Sequence, residues 1–339
     1  MNWIPPQIKE YKFILGNKNP LWNHAERMLF LLRKKEKIVG RIAGIIDYNH
    51  ISFHNEKCGF FGFFECSRDY AFAKRLLDEV CDWLREKDIE IIRGPVNPSM
   101  NDECGFLVEG FDSPPFLMMP YNPRYYIDYI EKYGLEKCKD LYAYLFEITP
   151  AQIGNMEKIS KRVEKQRARV RPINLKNFAQ EINIIKEIYN TSWRDNWGFV
   201  PMTDEEIMYM AKRLKSLLVP ELLLILEVKG NFAGFVMTLP NYNEALRNLN
   251  KHWWDTIKLL WRLRKIKSLR VIAMGVKPEY RRRGFEALLY LESLKIALKK
   301  GYQQCEFSWI LEDNILTQRA AEKMGGKLYK RYRIYEMKI

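Results

Sequence analysis

Met274-Gly275-Val276-Lys277-Pro278-Glu279-Tyr280-Arg281-Arg282-Arg283-Gly284-Phe285-Glu286-Ala287 is the stretch that decides how this 339-residue chain is read. An apolar β-run, Leu269–Val276, is stopped by Pro278, which has no N–H to give to a strand ladder. Three arginines and a glycine follow. A helical pattern then runs from Phe285 to Lys299, with Ala287, Leu291, Leu294 and Leu298 as its stripe. The first amide hydrogens of a helix have no partner within it and carry partial positive charge, so a strand–loop–helix of this kind is an anion site. Gly284 allows a phosphate close to the backbone, and the arginines add permanently charged planar donors.

Outward from this loop, strand Gln304–Ile310 leads to helix Ile315–Met324, and Lys327–Lys338 has the pattern of a further strand. Upstream, Leu222–Val228 and Phe232–Leu239 form a hairpin around Lys229-Gly230-Asn231, preceded by helices Phe178–Trp193 and Asp204–Leu217. Asn243–Lys267 is an insert between strands. The first half runs through a similar order: strands Met28–Leu32 and Ile38–Ile46, then Cys58–Glu65, then helix Tyr70–Lys87 on the stripe Ala73, Leu76, Leu77, Val80, Leu84. Strand Ile89–Arg93, a Gly/Pro/Asn/Ser loop over Gly94–Asn101 and an aromatic strand, Cys138–Ile148, complete it. A basic stretch, Gln152–Arg169, has the look of a connecting helix. The order of elements recurs without recurrence of sequence, which predicts two similar α/β domains.

Composition sets bounds. Hydrophobic residues at 47% and charged residues at 29% describe a globular chain. No apolar run approaches the roughly 18 residues of a membrane span, Met1–Glu10 lacks an apolar core of signal-peptide type, and the six cysteines are scattered without CxxC spacing. A reduced, cytoplasmic setting is expected. His50 and His54 are four apart in a segment with loop character, and no metal site is expected. Net charge is +14 and uneven: Arg247 to Arg283 holds twelve lysines and arginines against Asp255 and Glu279, an excess of ten positive charges. Such a segment suits phosphates, nucleic acid, an acidic protein or anionic lipid.

The loop resembles the acetyl-CoA motif of the GNAT (Gcn5-related) N-acetyltransferases, V-x-P-x-[YF]-[RQ]-x-x-G-x-[GA]. Val276, Pro278, Tyr280, Arg281 and Gly284 stand at its fixed positions. The run from Glu306 to Asn314, with the helix and Gly325-Gly326 after it, is similar to the family's next strand, Asn and helix. The resemblance covers about Ile173–Ile339. The first half resembles a second, degenerate unit without the Arg-x-x-Gly loop. Gly94-Pro95-Val96-Asn97-Pro98-Ser99 and Asn196-Trp197-Gly198-Phe199-Val200-Pro201 look like phrases of a bacterial tandem-GNAT group.

The resemblance implies an α/β (α+β) fold of two tandem GNAT-like domains, with mixed, mostly antiparallel sheets flanked by helices. It divides the chain into a degenerate domain over 1–150, a basic connector helix over 151–171 and an acyltransferase domain over 172–339 with a helical insert at 243–267. It implies acetyl-CoA or another acyl-CoA held by Met274, Gly275, Val276, Arg281, Arg282, Arg283, Gly284, Phe285, Glu286, Ala287 and Asn314. Backbone N–H near Gly275–Val276 would polarise the thioester, and Trp193, Asn196 and Trp197 would line the acceptor side.

Two positions depart from the family pattern. Glu286 stands where Gly or Ala is usual, and Ala321 stands where many members place a tyrosine acid. Tyr329, Tyr332 and Tyr335 are the candidates to replace that acid, Tyr332 foremost, and Glu312 and Asp195 are the candidate bases. The implied reaction is N-acylation of a small-molecule amine. Alternatives are an acyltransferase served by an acidic carrier protein or working at a membrane surface through Lys251–Lys267, a Fem-like transferase using aminoacyl-tRNA, and an inactive CoA-binding sensor. A nucleic-acid partner is not expected, because the Fem type generally lacks an intact pyrophosphate loop.

Overall fold

The computed structural model describes residues 2–5, 8–154, 157, 163, 166–247 and 254–339, with the backbone alone at residues 9 and 254–258. In chain order, the first half contains α1 (Ile8–Ile14), β1 (Ala25–Lys34), β2 (Lys37–Asp47), α2 (Tyr48–His54), β3 (Cys58–Cys66), α3 (Tyr70–Glu86), β4 (Ile91–Gly94), β5 (Val96–Asn97), β6 (Glu103–Cys104), β7 (Phe106–Glu109), α4 (Tyr125–Tyr133) and β8 (Glu136–Glu147). There follow β9 (Ala168–Pro172), α5 (Phe178–Trp193), α6 (Asp204–Leu214), β10 (Leu223–Val228), β11 (Asn231–Pro240), α7 (Asn243–Leu246), α8 (Trp254–Leu263), β12 (Ser268–Val276), α9 (Phe285–Lys299), β13 (Gln304–Leu311), α10 (Ile315–Lys323) and β14 (Lys327–Lys338). Two compact units result: Met1–Tyr142 with Lys330–Ile339, and Ala143–Tyr329.

Unit 1 is a mixed sheet in which β1–β2, β2–β3 and β4–β14 are antiparallel and β3–β4 is parallel. The predicted stripe of α3 is its buried face: Ala73, Leu76, Leu77, Val80 and Leu84 are nearly or wholly inaccessible and pack with Ile42, Ile46, Phe61 and Phe64 of the sheet. The Trp83 ring lies over Gly44, where a built Cβ would come within 2.6 Å of it, so only glycine admits the indole there. Helix α4 adds Tyr126 and Ile130 to this core.

Unit 2 repeats the plan. Its strands run β13-β12-β11-β10-β9, with β12–β13 parallel and the other pairs antiparallel. Lys229 and Gly230 both take positive φ, 52° and 84°, as a tight hairpin turn between right-twisted strands requires. One sheet face is covered by α5 and α6, whose Ile182, Ile185, Ile188, Tyr189 and Ile207 cluster with Leu223, Ile225, Phe235 and Ala273. Thr203 starts α6 with a reciprocal capping box to Glu206. Helix α9 packs through Leu289 near Gly234 and through Tyr290 against Phe307.

Several boundaries differ from expectation. His50 and His54 lie on α2, not in a loop, because Asp47 caps that helix by accepting from Asn49 N–H. The expected connector helix over 151–171 ends in strand: Ala168–Pro172 pairs with β10. Residues 155, 156, 158–162, 164 and 165 of that connector lie outside the described residues. Expected limits of 1–150 and 172–339 give way to a division in which Lys330–Ile339 belongs to unit 1.

Candidate active site

The loop after β12 is a single tight turn, Pro278–Tyr280, followed by extended Arg281. Arg282 and Gly284 then take positive φ, 61° and 85°. Gly284 is the N-cap of α9 and no side chain caps the helix. The first bond to close the helix is Leu288 N–H to the Gly284 carbonyl, 3.2 Å, and the amides of Phe285, Glu286 and Ala287 have no acceptor among the described residues. These are unsatisfied donors aimed out of the helix end. Arg282 and Arg283 are exposed and make no ion pair among the described residues. The donor set fits a pyrophosphate: three amides, two guanidiniums and a residue without a side chain between them.

Arg281 behaves differently from its neighbours. Its Nε donates to the Val276 carbonyl at 3.0 Å and its Nη2 to the Ser192 carbonyl, so this guanidinium fastens the loop to the end of α5. Trp193 Nε1 donates to the Met274 carbonyl at 3.2 Å. Lys277 is paired with Glu187. The end of α5 is thus tied to the end of β12 at three points. Gly275 allows this approach, since a Cβ there would lie 3.0 Å from the Ser192 side chain. The Ser192 hydroxyl is buried and has no hydrogen-bond partner among the described residues.

Strand β12 parts from β13 beside this loop. Their parallel pairing ends at Val271–Phe307, although β12 runs on to Val276 and β13 to Leu311. A bulge at Ile272 accompanies the parting: Met237 faces Ala273 while Thr238 faces Val271. The Met274 and Val276 carbonyls are taken by Trp193 and Arg281 on the side away from β11. In an antiparallel ladder the N–H of a residue points the same way as its C=O. The Met274 and Val276 amides therefore face the side from which β13 has departed.

Unit 1 has the same parting but has closed it. Strands β3 and β4 pair from Cys58–Ile91 to Phe60–Arg93 and then separate. There β5 fills the gap: a Cβ on Gly62 would sit 1.8 Å from the Val96 carbonyl, and Asn97 Oδ1 accepts from Phe63 N–H at 2.6 Å. The start of α3 is capped by Asp69, which accepts from Ala71 N–H at 3.0 Å and places a carboxylate where an anion would bind. Among the described residues, only unit 2 keeps both an open helix end and an open strand edge.

The other expected site residues are dispersed. Asn314 caps α10 by accepting from Thr317 N–H at 3.2 Å, which makes it a helix start. Glu312 follows β13 and is half-buried, with its carbonyl bonded to Gln318. Asp195 is exposed, while Asn196 and Trp197 are half-buried. Trp193 packs at a tilt against Tyr189, ring centres 4.4 Å apart, and belongs to the packing of unit 2 as well as to the β12 edge. Tyr332 is wholly buried in unit 1, paired with Leu107 of β7, so it does not share a unit with the loop. Tyr335 is likewise in unit 1 and donates to Glu131 at 3.0 Å, whereas Tyr329 donates to Glu306. Ala321 is fully buried, so a tyrosine in its place would have to displace the side chains packed around it.

A buried polar group escaped the sequence reading. Arg270 and Glu306 face each other on β12 and β13, 3.5 Å apart and 3% and 0% exposed at the side chain. Ser308 joins both, at 2.9 Å to Arg270 and 2.6 Å to Glu306. Its signal was present: a charge of each sign inside two consecutive apolar strands. Cys305 is the single cysteine of unit 2, and burial, then the charge of Glu306, pushes its thiol far above the ordinary range.

Residues 182–326 match the Acetyltransferase (GNAT) family. Over 351 aligned residues, covering 100% of this chain and 89% of the relative, the sequence is 36% identical to Protein YghO of Escherichia coli (strain K12). It is also 36% identical to the bacterial ceramide synthase of Caulobacter vibrioides (strain NA1000 / CB15N), covering 99% of this chain and 90% of that one. Among solved structures, a tandem GNAT protein from the clavulanic acid biosynthesis pathway superposes with a TM-score of 0.53 at 11% identity, covering 93% of this chain and 83% of the other, a likeness of fold. With its open helix end, its parted strands and relatives that match along nearly the whole chain, the protein belongs to the GNAT acetyltransferase family.

Proposed function

We propose that this protein transfers an acyl group from an acyl-CoA to the amine of a long-chain amino alcohol. The observation that carries the acyl-CoA half is the uncapped start of α9 at Gly284, flanked by unpaired Arg282 and Arg283 and set beside the free edge of β12. Support for the acceptor comes from the relative named bacterial ceramide synthase, similar over 99% of the chain. A ceramide is the amide of a fatty acid with a long-chain amino alcohol, so its synthase closes an N-acyl bond. Acyl-CoA supplies the activated thioester. The amides of Phe285, Glu286 and Ala287 and the two guanidiniums hold its diphosphate, and the Met274 and Val276 amides polarise the carbonyl. A thiol of pKa about 8.5 leaves without a dedicated acid near neutral pH, which accords with Ala321 in place of tyrosine. Glu312, which follows the strand that parts from β12, is the carboxylate we put forward to accept the amine proton, with Asp195 the second candidate.

The test is thiol release and product mass with purified protein, acyl-CoA of two, eight and sixteen carbons, and sphinganine against small amines such as spermidine and glucosamine. A sphinganine amide is the expected product. Turnover with a small amine only would replace the acceptor, and absence of CoA binding by calorimetry would remove the acyltransferase reading.

A further inference from the structure

Helix α8 carries two neighbouring apolar side chains, Leu260 and Trp261, that are 61% and 58% exposed. They are not the helix's packing face, because Leu259 and Leu263 are the half-buried ones. The base of the insert is anchored. The Glu244 carboxylate accepts from Lys267 N–H at 3.0 Å and Ser268 N–H at 2.9 Å, Arg262 Nη1 donates to the Arg247 carbonyl at 2.6 Å, and Ile266 is buried. Arg264 and Lys265 follow the apolar pair and are exposed, with Lys265 Nζ 3.4 Å above the Trp261 ring; Lys267 is exposed at the base, its Nζ 3.4 Å from the Gly301 carbonyl. Within Arg247 to Arg283 only two residues are acidic, and the Glu244 carboxylate at the base is engaged by the Lys267 and Ser268 amides.

We infer that this surface is a docking site for an anionic phospholipid bilayer. Leu260 and Trp261 enter the boundary between headgroups and acyl chains, where an amphipathic indole is favoured, and Arg264, Lys265 and Lys267 lie among the phosphates. Charge complementarity selects an anionic partner. The exposed Leu–Trp pair beside the cations suits the headgroup–acyl boundary of a bilayer, and an acidic carrier protein is the alternative that the test distinguishes. The inference stands whichever amine the α9 site acylates, because vesicle binding is measured without any substrate.

The experiment is co-sedimentation of the full chain with vesicles of phosphatidylcholine alone and of phosphatidylcholine with 30 mol% phosphatidylglycerol, at low and at physiological salt. The result expected is partition onto the anionic vesicles, weakened by salt. Leu260→Ser with Trp261→Ser lowers it at least tenfold, and Arg264→Gln and Lys265→Gln lower it about fivefold each. All four positions are exposed, and unchanged circular dichroism checks that the variants fold. In wild type, brominated lipid quenches fluorescence that is lost in Trp261→Phe. The inference is overturned by equal partition onto neutral vesicles, by no partition onto anionic ones, or by indifference to both pairs of substitutions. Binding to purified acyl carrier protein, uncompeted by vesicles and lost in the same variants, would reassign the surface to a protein partner.

Discussion

Gly284 and its neighbours work through what they leave unsatisfied. Arg282 and Arg283 have no partner among the described residues, so Arg282→Gln with Arg283→Gln removes no ion pair seen there. The double variant should keep its thermal midpoint while the KM for acyl-CoA rises tenfold or more, since hydrogen bonds to charged groups contribute about 1.5–3 kcal/mol. Glu286, half-buried in the first turn of α9, sets a carboxylate near the same donors. Glu286→Gly should tighten CoA binding in calorimetry, and unchanged or weaker affinity would dismiss repulsion as its role. A pH-sensitive position lies in unit 1. Burial, then the charge of His54, lowers His50 from an ordinary 6.5 to about 4. The folded state therefore resists a proton that the unfolded chain accepts. This contributes nothing above about pH 6.5 and removes stability progressively as pH falls toward 4, by up to about 3 kcal/mol. His50→Phe should flatten that part of the slope in urea denaturation between pH 7 and 4.

Among elements, the two strand–loop–helix units show how one plan is kept or closed. Asp69→Ala should cost unit 1 about 1 kcal/mol, as the loss of a helix cap does. It should create no second CoA site in titration calorimetry, because Val96 and Asn97 still fill the gap beside β3. In unit 2, Trp193→Phe keeps the ring but removes the bond to Met274. The expectation is a raised KM for acyl-CoA with little change in melting temperature, read from steady-state kinetics and calorimetry. Local signals of this kind were legible in the sequence. Pro278, the arginines and Gly284 marked the open helix start, the apolar stripe of α3 marked its buried face, and Lys229-Gly230 marked the hairpin. Less legible was what side chains do once folded. Arg281 looked like its two neighbours but turns back to two carbonyls, and the capping of α10 by Asn314 was not foreseen. Arg270 and Glu306 became partners only through a register between strands thirty-odd residues apart.

For the whole molecule, the division into units was the part least visible beforehand. Nothing local in Lys330–Ile339 says that Glu336 will face Arg93 and Tyr335 will face Gly94. Pairings at long sequence separation leave no periodic trace, and only the assembled sheet reveals them. A chain ended at Tyr329 should therefore lose amide protection in β4 and β7, far from the cut in sequence, while β10 and β11 keep theirs in hydrogen exchange. The strand also explains why the Arg93 cluster is complete: its guanidinium spans Glu56 at 2.7 Å and Glu336 at 2.7 Å, one acid from each end of the sequence.

That return of β14 to unit 1 has a consequence for biosynthesis. A ribosome releases the chain in one direction at about 5–20 residues per second. The unit translated first must wait, with one position of its sheet vacant, until everything between Ala143 and Tyr329 has emerged. Of the two units, the one begun first is therefore completed second.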